Sequence, residues 1–151
     1  MTTALELPST EEEIWRYSRI NELDMSKFAS GKLTTTVEGG EGVQLTGAAA
    51  TALVGAGMHV QPDMFAQMNT DTPDVIALQI GKNKVHTQTV VITHSVDTSG
   101  VAAYPRLVID AAENSEIVVV ERFTSADNVH SLVVPVVEVH AAQSARVTYL
   151  A

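Results

Sequence analysis

Short runs of alternating apolar and polar residues fill the second half of the chain. Such runs, rich in β-branched residues and separated by turn residues, are typical of strands. They are Val75 to Ile80, Val85 to His94, Leu107 to Ala111, Ile117 to Arg122, Leu132 to His140 and Arg146 to Leu150. We therefore expect the chain beyond Val75 to be all strand.

Part of this pattern repeats 30 residues later: Pro105 to Val120 aligns with Pro135 to Leu150 without a gap. A unit of two strands and a turn cannot bury its own apolar face, whereas stacked copies can, so the repeat predicts a parallel solenoid. No third copy can be placed convincingly upstream of His94. In the predicted register, compatible charges lie on neighbouring coils: Asp110 with His140, and Glu116 with Arg146.

The first segment carries the pattern of a helix. Ser9 and Glu12 have the spacing of a capping box, and an acidic first turn suits the positive end of a helix dipole. An apolar stripe at roughly helical spacing follows: Ile14, Tyr17 and Ile20. We expect this helix to end between Asn21 and Asp24.

The remainder of the first half is rich in small and polar residues, which favours loops and short elements. Residues 1–74 are therefore predicted to be an N-terminal helical and loop region, and residues 75–151 the first coils of a solenoid. Within the first region we expect one or two short strands at most between Ala29 and Gly47, a short helix from Ala48 to Ala56 continuing from Pro62 to Met68, and a polar connector from Asn69 to Asp74.

Composition narrows the range of functions. The 18 acidic against 9 basic residues give a net charge of -9, which opposes binding to nucleic acid or to anionic membranes. There is no cysteine, so these residues alone build no disulfide and no cysteine-ligated cluster. The first thirteen residues lack the features of a secretory signal, and no stretch has the length of an apolar membrane span, so the cytosol is the expected compartment.

Candidate chemical groups are few, and each has a structural interpretation. Asp110 and Glu138 are interpreted as the wet face of a sheet, and no serine lies in a Gly-x-Ser-x-Gly motif. The five histidines show no recognised ligand spacing and are interpreted as surface or packing residues: His59, His86, His94, His130 and His140. We therefore assign no catalytic, cofactor-binding or metal-binding residue and expect a protein that is not an enzyme.

Several segments resemble the SufB/SufD family of iron–sulphur cluster assembly proteins, in particular its SufD branch. The stretch Glu12 to Tyr17 resembles the acidic-Trp-Arg-Tyr opening of SufD proteins. Three later segments resemble the solenoid core of the family: Tyr104 to Leu107, Glu116 to Phe123, and Ala145 to Tyr149. The resemblance is diffuse between Ala29 and Val75.

This resemblance implies a right-handed parallel β-helix preceded by a small N-terminal helical region. It also implies a non-catalytic scaffold that assembles with SufB and the ATPase SufC, the iron–sulphur cluster being built by the complete complex and not held by this chain. The family's ATPase-docking region and its Cys and His residues for cluster assembly lie late in the chain and have no counterpart here.

Because the strand pattern continues to Leu150 without a capping element, we expect a truncated N-terminal portion, which could associate with itself through the uncapped last strand. Two alternatives stay open. One is a β-solenoid carbohydrate-active enzyme or binding module, although aromatic residues make up only 5% of the chain. The other is a cupin-type metal-binding barrel, although no His-x-His pair occurs.

Overall fold

The chain is mainly β and forms three sheets in the computed structural model, which describes residues 6–56, 64–71 and 74–151. Two short helices, α1 (Gly47–Thr51) and α2 (Met64–Asp71), precede most of the strands. The strands are β1 (Ala29–Ser30), β2 (Thr34–Glu38), β3 (Gln44–Leu45), β4 (Asp74–Ile80), β5 (Val90–Val96), β6 (Val101–Ala103), β7 (Pro105–Ala111), β8 (Glu116–Ser125), β9 (Leu132–Val133), β10 (Val136–Ala141) and β11 (Arg146–Leu150).

Parallel pairing dominates, although two of the three sheets are mixed. The first sheet has the order β10-β7-β4-β3, the second β11-β8-β5-β2 and the third β1-β6-β9. All pairs are parallel except β3 with β4 and β2 with β5, which are antiparallel. Strands β1 to β3, which lie within the region 1–74, thus pair with β6, β5 and β4 of the region 75–151.

The register predicted from the 30-residue repeat is confirmed. His140 pairs with Asp110 between β10 and β7, and Arg146 pairs with Glu116 between β11 and β8. The same two sheets continue to β4 and β5, which the gapless comparison could not place. The reason is a change of spacing: Val75 pairs with Arg106, 31 positions on, whereas Val90 pairs with Val119, only 29 positions on.

Aliphatic side chains fill the space between the first and second sheets. Alternate residues of each strand point inward, so paired strands bring like side chains into rows. One such row is Leu78, Ile109 and Val139. The fully buried aliphatic side chains of this core each contribute about 1.5 to 3 kcal/mol: Leu78, Ile80, Val90, Ile92, Leu107, Ile109, Ile117 and Val119.

A repeated turn follows the three parallel strands of the first sheet, β4, β7 and β10. Asn83, Asn114 and Ser144 occupy equivalent positions after β4, β7 and β10, with φ of 60°, 55° and 60°. Asparagine tolerates this left-handed conformation better than most residues. The amide Nδ2 of Asn114 also donates to Oδ1 of Asn83 at 2.9 Å, so neighbouring turns are joined by a side-chain hydrogen bond.

The predicted N-terminal α-helix is wrong. Three separate 3₁₀ turns occupy its place and the residues beyond: Glu13–Trp15, Ile20–Glu22 and Met25–Lys27. Only half of the expected capping box forms, since the backbone N–H of Ser9 donates to Glu12 Oε1 at 3.0 Å. The hydroxyl of Ser18 then donates to the carbonyl of Trp15 at 2.7 Å and accepts from the N–H of Ile20, so it binds backbone groups that helix continuation would use.

Other boundaries also differ from the sequence-based expectation. Between Ala29 and Gly47 there are three short strands instead of one or two, and a strand at Val101–Ala103 was not predicted. The run expected as one strand from Val85 to His94 forms an isolated bridge at Val85 and then β5. The polar connector predicted from Asn69 to Asp74 is wrong at both ends, because α2 continues to Asp71, Asn69 is fully buried and β4 begins at Asp74; residues 72 and 73 lie outside the described residues. The predicted Pro62 to Met68 segment is described only from Met64, where α2 begins.

Candidate functional site

The last strand of each sheet, β9, β10 and β11, has a neighbour on one side only within the described residues. In the core row that contains Leu78 and Ile109, the side chain on the last strand is therefore left uncovered. Those two side chains have no exposure, whereas Val139 at the end of the row is 46% exposed. Leu150 on β11 is 58% exposed. The end of the core is therefore open, with free backbone groups beside exposed apolar side chains, which is the surface that strand pairing recognises.

An apolar groove of about 520 Å³ lies beside this open end. Its floor is formed by β9 and the residues that lead into β10, and its walls come from the 3₁₀ turns and from α2. The rings of Trp15 and Phe65, 5.5 Å apart between centroids, lie in one wall. We call this feature the apolar groove; its lining residues are Trp15, Ser18, Arg19, Ile20, Leu23, Phe65, Ala66, Leu132, Val133, Val134, Pro135 and Val136.

A buried ion pair supports the groove from the outer face of the first sheet. The guanidinium of Arg106 on β7 contacts the carboxylate of Glu138 on β10, with Nε donating to Oε1 at 2.6 Å. Their side chains are 0% and 2% exposed. Arg106 Nη1 also donates to Asn69 Oδ1 at 3.0 Å, and the N–H of Gly55 donates to Glu138 Oε2 at 2.8 Å. The interpretation of Glu138 as part of a wet sheet face is therefore wrong, because the segment after α1 and helix α2 cover it.

A row of hydrogen-bonded polar side chains crosses the inner face of the second sheet. Thr35 Oγ1 lies 2.9 Å from His94 Nδ1, and His94 Nε2 lies 2.9 Å from Glu121 Oε1. Tyr149 donates its hydroxyl to Glu121 Oε2 at 2.6 Å. Burial, together with this carboxylate, raises the pKa of Tyr149 well above its usual range. The phenol therefore stays protonated and serves as a hydrogen-bond donor.

The order hydroxyl, imidazole, carboxylate also occurs in the catalytic triads of hydrolases, which raises the question of a catalytic role for Thr35, His94 and Glu121. A nucleophile has to reach a substrate, however, and the side chains of His94 and Glu121 are only 4% and 1% exposed. Thr35 points into the same interior from β2. The arrangement satisfies buried polar groups across four strands and supports no catalytic role.

The histidines lie in different surroundings. His94 is buried in the row of polar side chains, His86 Nε2 lies 2.6 Å from the carbonyl oxygen of Gly39, and His130 is exposed. His140 is half-buried opposite Asp110, and His59 lies outside the described residues. Within the part of the chain that the structure covers, no group of three or more His, Cys, Asp or Glu side chains is placed to hold a metal ion.

Sequence reasoning missed the buried pair, although a signal existed. Arg106 lies between Pro105 and an unbroken apolar run, in a strand where every residue but Asp110 is buried. The 30-residue repeat places Glu138 opposite Val108, two positions from Arg106 and on the same face of the sheet. An arginine and a glutamate on one face of a strand pair favour a buried ion pair when other segments of the chain cover that part of the face. The sequence did not reveal that helix α2 and the segment after α1 cover this face.

Comparisons with known protein families, with curated proteins and with solved structures found no match. No helix in the described ranges combines the length and the apolar character needed to cross a membrane.

Proposed function

We propose that the chain forms the first coils of a right-handed parallel β-helix and acts as a non-catalytic, SufD-like scaffold subunit in iron–sulphur cluster assembly. In this proposal it works in the cytosol and assembles with SufB and with the ATPase SufC. The observation that carries the proposal is the order in which the chain contributes strands to the three sheets. Successive strands pass through the first, second and third sheets, and β7 to β9 repeat the path of β4 to β6 one layer on.

The pairing supports this winding. Each strand of the second layer pairs in parallel with its counterpart in the first, at a spacing of 29 to 31 residues. The repeated left-handed turns, joined by the hydrogen bond between Asn114 and Asn83, stack in the same direction. A right-handed path is the strong preference for parallel crossovers within a sheet.

The distribution of polar groups supports a scaffold. The two buried polar networks join strands to one another and to the covering helices, which stiffens the body. The free edges of β10 and β11 offer backbone donors and acceptors to a partner strand. In the proposed complex this end of the core is the surface that meets SufB.

Affinity purification of the tagged chain after co-expression with SufB and SufC tests the proposal. We expect SufB to co-purify, and SufC to be recovered only when SufB is present. Val139→Lys places a charge in the open core row and should abolish recovery of SufB. Val85→Lys is the matched control, because Val85 is also an exposed valine, at 61%, but it bridges to Glu116 on β8, so that strand separates it from the free edge of β11. Failure to recover SufB, or equal recovery with both variants, would refute the proposal.

Self-association through β11 is part of the same proposal. Copies of the chain that lack a partner should pair their free strands, so light scattering after size exclusion should give a mass that rises with protein concentration. Leu150→Lys places a charge on β11 itself and should return the protein to the mass of one chain. A single-chain mass for the unchanged protein at high concentration would contradict this expectation.

A further inference from the structure

The part of the groove floor between β9 and β10 has its backbone already satisfied. Val134 donates its N–H to the carbonyl of Ala103 at 2.9 Å, and its own carbonyl accepts from Asn69 Nδ2 at 2.8 Å. Pro135 has no N–H to offer. Strand β9, which ends just before, is only two residues long. An extended peptide would therefore find little backbone to pair with, and recognition must come from side chains.

The side chains offered are mostly aromatic or aliphatic. Trp15 and Phe65 form a tilted pair in one wall, while Leu132 and Val134 lie in the floor. A groove of this kind suits an amphipathic helix, which inserts apolar residues spaced three and four apart. The volume of about 520 Å³ accommodates a few such side chains and not a whole helix, as expected when only one face of the helix is buried.

The segment that supplies the wall containing Trp15 is acidic. Residues 6–24, which supply the wall that contains Trp15, hold six carboxylates and two guanidinium groups. One of those guanidinium groups, Arg19, is neutralised by Glu22 through two hydrogen bonds. Glu11 and Glu13 are exposed in the same segment, a few residues from Trp15 in the chain. The net charge of -9 adds a long-range attraction for a cationic partner.

We infer that the apolar groove binds the apolar face of a basic amphipathic helix from another protein. The groove supplies the anchors for leucine-like side chains, and the carboxylates around it select lysine and arginine on the outer face of the helix. This partner is distinct from the strand partner proposed for the open end of the core, so either proposal can fail without the other.

The probe is an 18-residue Leu/Lys peptide with leucines at helical spacing, compared with a Leu/Glu peptide of the same pattern. Trp15 is the only tryptophan in the chain, so its emission reports directly on the groove. We expect the Leu/Lys peptide to produce a saturable change in Trp15 emission, and the labelled peptide to gain fluorescence anisotropy over the same concentration range. The Leu/Glu peptide should produce neither change.

Variants separate the two contributions. Val134→Asp places an unpaired charge under the helix and should weaken binding about tenfold or more, and Leu132→Ser should weaken it in the same direction. Glu11→Gln with Glu13→Gln should weaken binding about two- to fivefold at low salt and have no effect at high salt. Val85→Asp is the control and should bind as the unchanged protein does. Circular dichroism establishes that each variant is folded.

Four results from the peptide and protein titrations would overturn the inference, and a fifth comes from a dye. They are equal binding of the two peptides, unchanged binding by both groove variants, absence of any saturable signal, and a Trp15 emission that changes with protein concentration alone. The last result would assign the groove to a second copy of the chain. Saturation by a small apolar dye that neither peptide displaces would assign it to a small ligand and would equally refute a helical partner.

Discussion

Removal of Glu138 should be among the most damaging single changes in the chain. Its carboxylate forms an ion pair with the guanidinium of Arg106, and both side chains are almost wholly buried. Breaking a buried pair by removing one partner costs about 3 to 5 kcal/mol, because the other charge stays buried without compensation. The N–H of Gly55 also loses its acceptor, which adds about 1 kcal/mol. We therefore expect Glu138→Ala to lower the free energy of unfolding by about 4 to 6 kcal/mol.

A matched pair on the surface provides the control. Glu116 faces Arg146 at 3.8 Å between neighbouring strands, with side-chain exposures of 44% and 81%. Exposed pairs of this kind contribute about 0 to 1 kcal/mol, so Glu116→Ala should be nearly neutral. The double variant Arg106→Met, Glu138→Leu replaces the buried charges with apolar groups and should recover much of the loss. It should not recover all of it, because Asn69 Oδ1 loses the donor that Arg106 supplied.

Urea unfolding followed by far-ultraviolet circular dichroism and by Trp15 emission measures these differences. The two probes test whether unfolding is two-state, which the comparison requires. The reasoning is refuted if Glu138→Ala costs no more than Glu116→Ala. It is also refuted if the double variant is less stable than Glu138→Ala, since replacing Arg106 removes the buried positive charge and should raise the free energy of unfolding.

Three further predictions concern individual contacts. Gly39→Ala should cost more than Gly42→Ala in urea unfolding: both have φ above 70°, but only at Gly39 would the added Cβ meet a carbonyl oxygen, at 2.5 Å. Tyr149→Phe should cost about 1.5 to 3 kcal/mol by removing the donor to Glu121. The pKa of Tyr149 is raised in the folded state, so the stability contributed by its hydroxyl is complete below the usual tyrosine pKa of about 10 and declines at higher pH. The Tyr149→Phe variant should lack this decline. Asn114→Ala should cost about 1 to 2 kcal/mol and Asn114→Gly less, since glycine adopts positive φ freely; equal losses would show that the hydrogen bond to the neighbouring turn dominates.

The N-terminal segment illustrates where local pattern misleads. Its apolar residues have approximately helical spacing, yet Ser18 binds nearby backbone groups and the segment forms 3₁₀ turns. Ile14 and Tyr17, expected on the buried stripe, are 83% and 94% exposed, whereas Ile20 is buried. Spacing alone does not state which residues have a surface to pack against, and here α2 provides one for only part of the stripe.

Most of the strands after Val75, and the register between the last two layers, could be read from the sequence; β6 and the start of β5 could not. The readable part follows from local rules, since strand alternation has a fixed period of two and a gapless repeat brings equivalent residues together. Which polar residues are buried depends on the three-dimensional fold. Glu138 belongs to an ion pair and not to a wet surface because segments distant in the chain fold over its strand, and His94 meets Thr35 because β2 returns antiparallel to β5. Burial depends on what covers a residue, and no local period carries that information.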